Sequence, residues 1–228
     1  MIRDAASVIL LRRAQAGFEV FFLRRHRGAS FMASAYVFPG GAAEPGEDAR
    51  TAAARELHEE AGVKLPSPAV LVPWSHWITP SIEKKRFSAH FFVAELPEGQ
   101  VPQFDAVETV DQVWVTPADA IERSAELQLP PPQVRTCWEL ARCATIEEVV
   151  AASRARASEP HPIMPRLVAG SAPCLVLPWD PEYVAKGTGD STQMTHTPAW
   201  ATGPSRFVLE DRRWKHVSAP ASTTAGSS

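Results

Sequence analysis

The chain has 228 residues, 26 acidic against 23 basic, for a net charge of −3. A composition of 45% hydrophobic and 21% charged residues is that of an ordinary soluble globular protein. The slightly acidic balance excludes a global basic field of the kind that advertises nucleic-acid binding. An anionic small molecule stays compatible, because local arginines or a metal can supply positive charge.

In chain order, Ala5–Arg12 and Phe18–Leu23 are apolar runs of strand length joined by a turn at Ala14–Gly17. The first run is too short to span a membrane, and no cleavage pattern follows it. Tyr36–Phe38 is a short strand that delivers Pro39-Gly40-Gly41, where small residues allow close backbone approach to a ligand. A helix is predicted from near Asp48 to Ala61, with Gly62 as its left-handed stop. Val70–Ile78 and Arg86–Glu95 form a further strand pair, and Gln112–Val115 another strand. Thr116-Pro117 opens a second helix as N-cap and first residue. Another helix follows the prolines 130–132, and Thr145-x-x-Glu148 is a capping box that starts one more.

Past residue 158 the composition changes. His161–Val168, Pro173–Leu177 and Arg206–Val208 are strand-like pieces between loops rich in Gly, Ser, Thr and Pro. Trp179 and Trp214 argue that part of this extension packs on the body. The expected division is a domain over 1–158, a packed extension over 159–217 and a disordered tail over 218–228. Cys137, Cys143 and Cys174 form no C-x-x-C pair and suit reduced thiols. With no targeting signal in view, a cytoplasmic location is the expectation.

The chemistry concentrates in residues 41–63, GAAEPGEDARTAAARELHEEAGV. At about 100° per residue, Glu56, Glu59 and Glu60 occupy roughly a third of the helix surface. Ala53, Leu57 and Ala61 form a neighbouring row that can pack inward. Like charges at i+3 and i+4 cost about 0.2–0.5 kcal/mol each, and anions in the last turn oppose the macrodipole. A divalent cation reverses both penalties. Oxygen ligands without Cys or His at ligand spacing select Mg²⁺ or Mn²⁺ over zinc. The competing reading of an arbitrary E-x-x-E-E is a solvated acidic face.

The surrounding residues decide between them. Gly41, Glu47, Arg55, Glu56, Glu59, Glu60 and Gly62, with apolar Leu57 and Val63, match the complete Nudix box, G-x5-E-x7-R-E-U-x-E-E-x-G-U, where U is apolar. The stretch therefore resembles the Nudix hydrolase superfamily over roughly Ala5 to Arg156. That resemblance implies an α/β/α sandwich with a mixed β-sheet, followed here by a C-terminal extension. It also implies hydrolysis of a nucleoside diphosphate linked to another group, by attack of water on phosphorus. Position by position, Glu56, Glu59 and Glu60 would ligate Mg²⁺ or Mn²⁺, the Gly41 carbonyl joining them. Arg55 and Glu47 would form a supporting ion pair. The family also recruits a loop carboxylate from outside the box, and Glu108 is the candidate, with Asp105 and Asp111 competing. Arg24, Arg25 and Arg27, with Lys84, Lys85 and Arg86, are candidates for phosphate contact, Arg24, Arg25 and Arg86 foremost.

Trp77-Ile78-Thr79-Pro80, Lys85-Arg86-Phe87, Phe91-Phe92-Val93-Ala94 and Leu129-Pro130-Pro131-Pro132, with Arg206-Phe207-Val208-Leu209 and Arg213-Trp214 in the extension, resemble the peroxisomal coenzyme A diphosphatase branch and its bacterial relatives. This implies cleavage of coenzyme A or acyl-CoA to 3′,5′-ADP and (acyl-)phosphopantetheine. One departure stands against it. Another coenzyme A branch places Arg and Gly at set distances before FPGG, and here those positions hold Ser30 and Ser34. ADP-ribose, a dinucleotide or a nucleotide sugar is the alternative substrate. A non-catalytic ligand sensor is the alternative of another class. The expected partner is a small nucleotide-type molecule, not nucleic acid or membrane, and the family leaves room for a homodimer.

Overall fold

Strand β1 (Ile2–Arg13) is apolar on both faces, as befits a strand covered on both sides. In a computed structural model that describes residues 2–28, 32–170, 172–211 and 213–220, it runs through the middle of an eight-stranded mixed sheet. A tight turn leads to the antiparallel β2 (Phe18–Arg25), and then come β3 (Tyr36–Val37) and β4 (Gly40–Ala42). Helix α1 (Ala49–Ala61) follows, capped by the Asp48 carboxylate, which accepts from Arg50 and Thr51 N–H. It is closed by Gly62 at φ 68°, whose N–H reaches the His58 carbonyl.

After α1 come β5 (Val72–Ile78), β6 (Arg86–Glu95) and β7 (Thr109–Val115). Next are α2 (Pro117–Glu122), α3 (Pro131–Leu140), α4 (Ile146–Ala157) and the two-residue β8 (Pro162–Ile163). The sheet order is β3-β2-β1-β6-β5-β8, with β4 also on β1 and β7 also on β2. The β1–β6 and β5–β8 pairs are parallel and the others antiparallel, which makes the sheet mixed.

Alternation along β1 builds two cores. Ala6, Val8 and Leu10 meet Ala52, Ala53, Leu57 and Ala61 of α1. Ile9 and Leu11 face the other way, with Phe22, Trp74 and Phe91, against Val134, Cys137 and Leu140 of α3 and Val149 of α4. The sheet thus lies between helical layers, the α/β/α sandwich expected. The capping box at α4 is altered in one respect. Thr145 accepts from Glu148 N–H, but the Glu148 carboxylate returns to the N–H of Ala144.

The chain then builds a five-stranded antiparallel sheet from β9 (Arg166–Val168), β10 (Cys174–Val176), β11 (Gly187–Thr188), β12 (Arg206–Glu210) and β13 (Arg213–Val217), with the short helix α5 (Tyr183–Lys186) before β11. Leu177 and Phe207 from this segment sit in the main core, and Trp179, Trp200 and Trp214 pack against it. Its strongest tie is Arg135 of α3, 1% exposed, which donates to the carbonyls of Pro204 and Thr202 at 3.0 and 2.9 Å. Arg135 is also ion-paired to Glu139, shared with Arg156, and lies over the rings of Trp138 and Trp179. Two guanidiniums share one carboxylate, so carbonyl oxygens and indole faces take up the excess positive charge. The expected tail runs into residues 221–228, which lie outside the described residues.

Candidate active site

The FPGG stretch and the end of α1 meet because β4 lies antiparallel on β1, with Ser7 opposite Gly40 and Ala6 opposite Gly41. A methyl group at Gly40 would strike the Ala6 carbonyl and the Ser7 side chain. One at Gly41 would fall 2.5 Å from the Glu56 carboxylate. Gly40 is required by close approach of backbone, whereas at Gly41 a side chain would displace the Glu56 carboxylate, a predicted ligand.

Glu60 is 6% exposed, and its carboxylate accepts the Gly40 N–H at 2.8 Å. Burial pushes its carboxyl up to about 7. The charges of Glu56 and Glu108 push the same way, against the Gly40 hydrogen bond and Arg25. Burial likewise raises Glu56, with Glu59 and Glu108 adding to it and Arg55 opposing. Burial, with neighbouring carboxylates adding to it, therefore raises the proton affinity of Glu56 and Glu60, a cost that a cation held beside them would offset.

Arg55 organises the approach to that group. Its Nε and Nη2 donate to the two oxygens of Glu47 at 3.0 and 2.9 Å, and Nη2 also reaches the Ala42 carbonyl. Its Nη1 donates to both Glu56 and Glu59 at 2.9 Å. The Arg55 hydrogen bonds hold Glu47 below the usual carboxylate range. Glu59, expected as a ligand alongside Glu56 and Glu60, is 55% exposed and lies toward solvent. Among the described residues no three acidic, histidine or cysteine side chains already close on a single point. The donor chemistry still fits a hard divalent ion: carboxylate and carbonyl oxygen, part of it buried, with no thiol or imidazole in the group.

The predicted arginines separate. Arg24 and Arg25 end β2 and line, with His26, Arg27, Ser34 and Val110, a cavity of about 230 Å³. Arg25 is near enough to Glu60 to act on its charge, and its buried Nε has no hydrogen-bond partner among the described residues. Arg86 lies elsewhere. It pairs across from Ile2, five residues along β1 from the Ser7–Gly40 contact, or roughly 16 Å at strand rise. There it donates to the Thr79 carbonyl and is ion-paired to Asp190 of the extension. Trp74 and Trp77 are buried in the core, and the Trp74 Nε1–H donates to Glu139. Ser34, where the coenzyme A signature has glycine, takes a left-handed backbone at φ 64°. The companion position, Ser30, lies outside the described residues.

Tyr36 escaped the sequence reading, and Asp105, expected there only as a competing loop carboxylate, takes a different part. Tyr36 donates to Asp111 at 2.6 Å beside the Arg24 guanidinium, and burial, with that bond, pushes its phenol up to about 12. Asp105 folds the loop before β7. The D-x-x-E-T spacing, an acceptor side chain ahead of a tight turn, was its only signal.

The NUDIX domain model matches residues 1–135, more than half of the chain. This protein belongs to the NUDIX family. The family is one of hydrolases that act on phosphoanhydride bonds and generally use divalent metal ions. The chain is 27% identical over 187 residues to putative nudix hydrolase 7 of Caenorhabditis elegans, covering 64% of the chain and 62% of that protein. It is 35% identical over 80 residues to the acyl-coenzyme A diphosphatase NUDT19 of Homo sapiens, covering 33% of the chain but only 21% of that protein. The chain thus spans less than two thirds of the length of these curated relatives. Among solved structures, a NUDIX hydrolase from Alicyclobacillus acidocaldarius superposes with a TM-score of 0.60 at 22% identity, over 66% of the chain and 96% of that structure. That likeness establishes the fold. No helix among the described residues is long and apolar enough to cross a membrane.

Proposed function

We propose that this NUDIX protein is a metal-dependent pyrophosphohydrolase whose site is Glu56, Glu59, Glu60, the Gly41 carbonyl and Glu108. The observation that carries it is the buried Glu60 carboxylate, held by the Gly40 N–H at 2.8 Å, beside a Glu56 carboxylate packed directly against Gly41. Burial raises the Glu60 and Glu56 carboxyls, and a cation bound beside them would offset that cost. Mg²⁺ or Mn²⁺ bound there supplies charge neutralisation for the diphosphate and lowers the pKa of bound water. The chain's own part is to hold these carboxylates on a rigid helix end. Arg55 and Glu47 lock the preceding loop to α1. Arg25, whose Nε has no hydrogen-bond partner among the described residues, and Arg24 are the side chains we assign to phosphate oxygens beyond the scissile bond. Arg86 is the weakest of the phosphate candidates, because the Thr79 carbonyl and Asp190 already occupy it.

Coenzyme A or acyl-CoA, cleaved to 3′,5′-ADP and (acyl-)phosphopantetheine, is the substrate we favour. The support is the similarity to acyl-coenzyme A diphosphatases of human and Xenopus laevis, at 35% and 31% identity over short stretches. The test is product analysis with Mg²⁺ or Mn²⁺ on coenzyme A, an acyl-CoA, ADP-ribose and NADH. The highest kcat/KM is expected on a coenzyme A compound. Preference for ADP-ribose or NADH overturns the substrate assignment, and no turnover on any of the four favours a ligand sensor.

A further inference from the structure

Glu108 is exposed, and its carboxylate makes no hydrogen bond or ion pair among the described residues, yet its main chain is fixed on both sides. Its carbonyl accepts the His26 N–H at 3.0 Å, at the end of β2. Its own N–H donates to the Asp105 carboxylate at 3.1 Å. The same carboxylate accepts the N–H groups of Val107 and Thr109 at 3.2 and 3.1 Å and the Thr109 hydroxyl at 2.8 Å. Ala106, within the turn so closed, is left-handed at φ 60°. That conformation is unfavourable for a residue with a Cβ and is held by the surrounding bonds. The base of the loop is tied to α1 by Gln103 N–H on the Ala61 carbonyl, at 3.0 Å. From these bonds we infer that Asp105 is a positioning residue: its carboxylate folds the 105–109 turn so that Glu108 is presented to Glu56 and Glu60. The inference rests on the reading of Glu108 as a metal ligand given above.

Four of the five Asp105 contacts are made by a single oxygen, Oδ1. A carboxamide keeps that oxygen, whereas a methyl group removes it. The experiment titrates Mn²⁺ alone into the full-length protein by electron paramagnetic resonance, alongside steady-state turnover. Asp105→Ala is expected to weaken Mn²⁺ binding about tenfold, as loss of an outer support does in other metal sites. Its far-UV circular dichroism should remain that of the wild type. Asp105→Asn is expected to restore most of the affinity, which a merely structural loss would not predict. The double variant Asp105→Ala/Glu108→Gln should bind no more weakly than Glu108→Gln alone, because both changes act through one ligand. If Glu108→Gln binds Mn²⁺ and turns over like the wild type, the ligand reading of Glu108 fails and the inference with it. If Glu108→Gln is impaired while Asp105→Ala is not, or if the two losses add in full, the role of Asp105 alone is overturned.

Discussion

Arg55 meets Glu47 edge to edge, two N–H groups against two carboxylate oxygens at 3.0 and 2.9 Å. The same guanidinium holds Glu56 and Glu59 and the Ala42 carbonyl, so one side chain joins the loop after β4 to the carboxylate face of α1. Lysine offers a point charge and cannot span these acceptors. Arg55→Lys and Arg55→Ala are therefore expected to behave alike. Each should lose about 10- to 100-fold in kcat/KM, as for loss of an outer support, with about 1–2 kcal/mol of stability. Steady-state kinetics and urea unfolding measure both, and a lysine variant near wild-type rate would contradict the bidentate role.

Glu60 makes stability depend on pH in a definite direction. Its carboxyl is raised by burial from 4.5 to about 7, so the metal-free fold favours the protonated form. This contribution is complete below pH 4.5 and disappears as pH rises through 7, a loss on the order of 3 kcal/mol. Glu60→Gln keeps an acceptor for the Gly40 N–H and has nothing to ionise. In denaturant titrations without metal, this variant should equal the wild type near pH 5 and exceed it at pH 8. A divalent ion bound by Glu60, as proposed, must displace the same proton. Calorimetry in buffers of different ionisation enthalpy should therefore show up to one proton released per protein at pH 6, vanishing above pH 8.

Arg135 gives the test of the link between the two sheets. Replacing it with alanine removes its hydrogen bonds to the Pro204 and Thr202 carbonyls and leaves Glu139 with the Arg156 ion pair and the Trp74 N–H. Removing one partner of a buried ion pair typically costs about 3–5 kcal/mol. Arg135→Ala should lower the unfolding free energy by that order and open residues 198–217 to protease before the rest of the chain. Simultaneous loss of both sheets in limited proteolysis would show that the damage is not local.

Strands β1 and β2 and helix α1 were legible because composition and caps agreed there: apolar runs at Ala5–Arg12 and Phe18–Leu23, Asp48 at the helix start, Gly62 at its stop. The proposed metal-binding set could be written as a list from the sequence, because the box fixes Arg55, Glu56, Glu59 and Glu60 at set spacing. Its inner division could not. That Glu60 is buried while Glu59 lies on the rim depends on the Gly40 N–H, which reaches the helix only through the β1–β4 pairing. Strand β4 itself, three small residues, has no period to read. Strand β13, Arg213–Val217, was hidden because its neighbours are charged and its pairing partner is the adjacent β12. Arg86 was grouped with Arg24 and Arg25 on charge alone, and only three-dimensional register separates them.

Two residues of β8, Pro162 and Ile163, lie along the outer side of β5, opposite His76 and Trp77. A proline there has no N–H to offer a further strand, so the row of hydrogen-bonding groups on β5 ends against a partner that cannot extend the sheet in its turn. Trimming the chain at the close of α4 would bare that row. Such a fragment should self-associate in a concentration-dependent way, and the shortest version that stays monodisperse should end beyond residue 163.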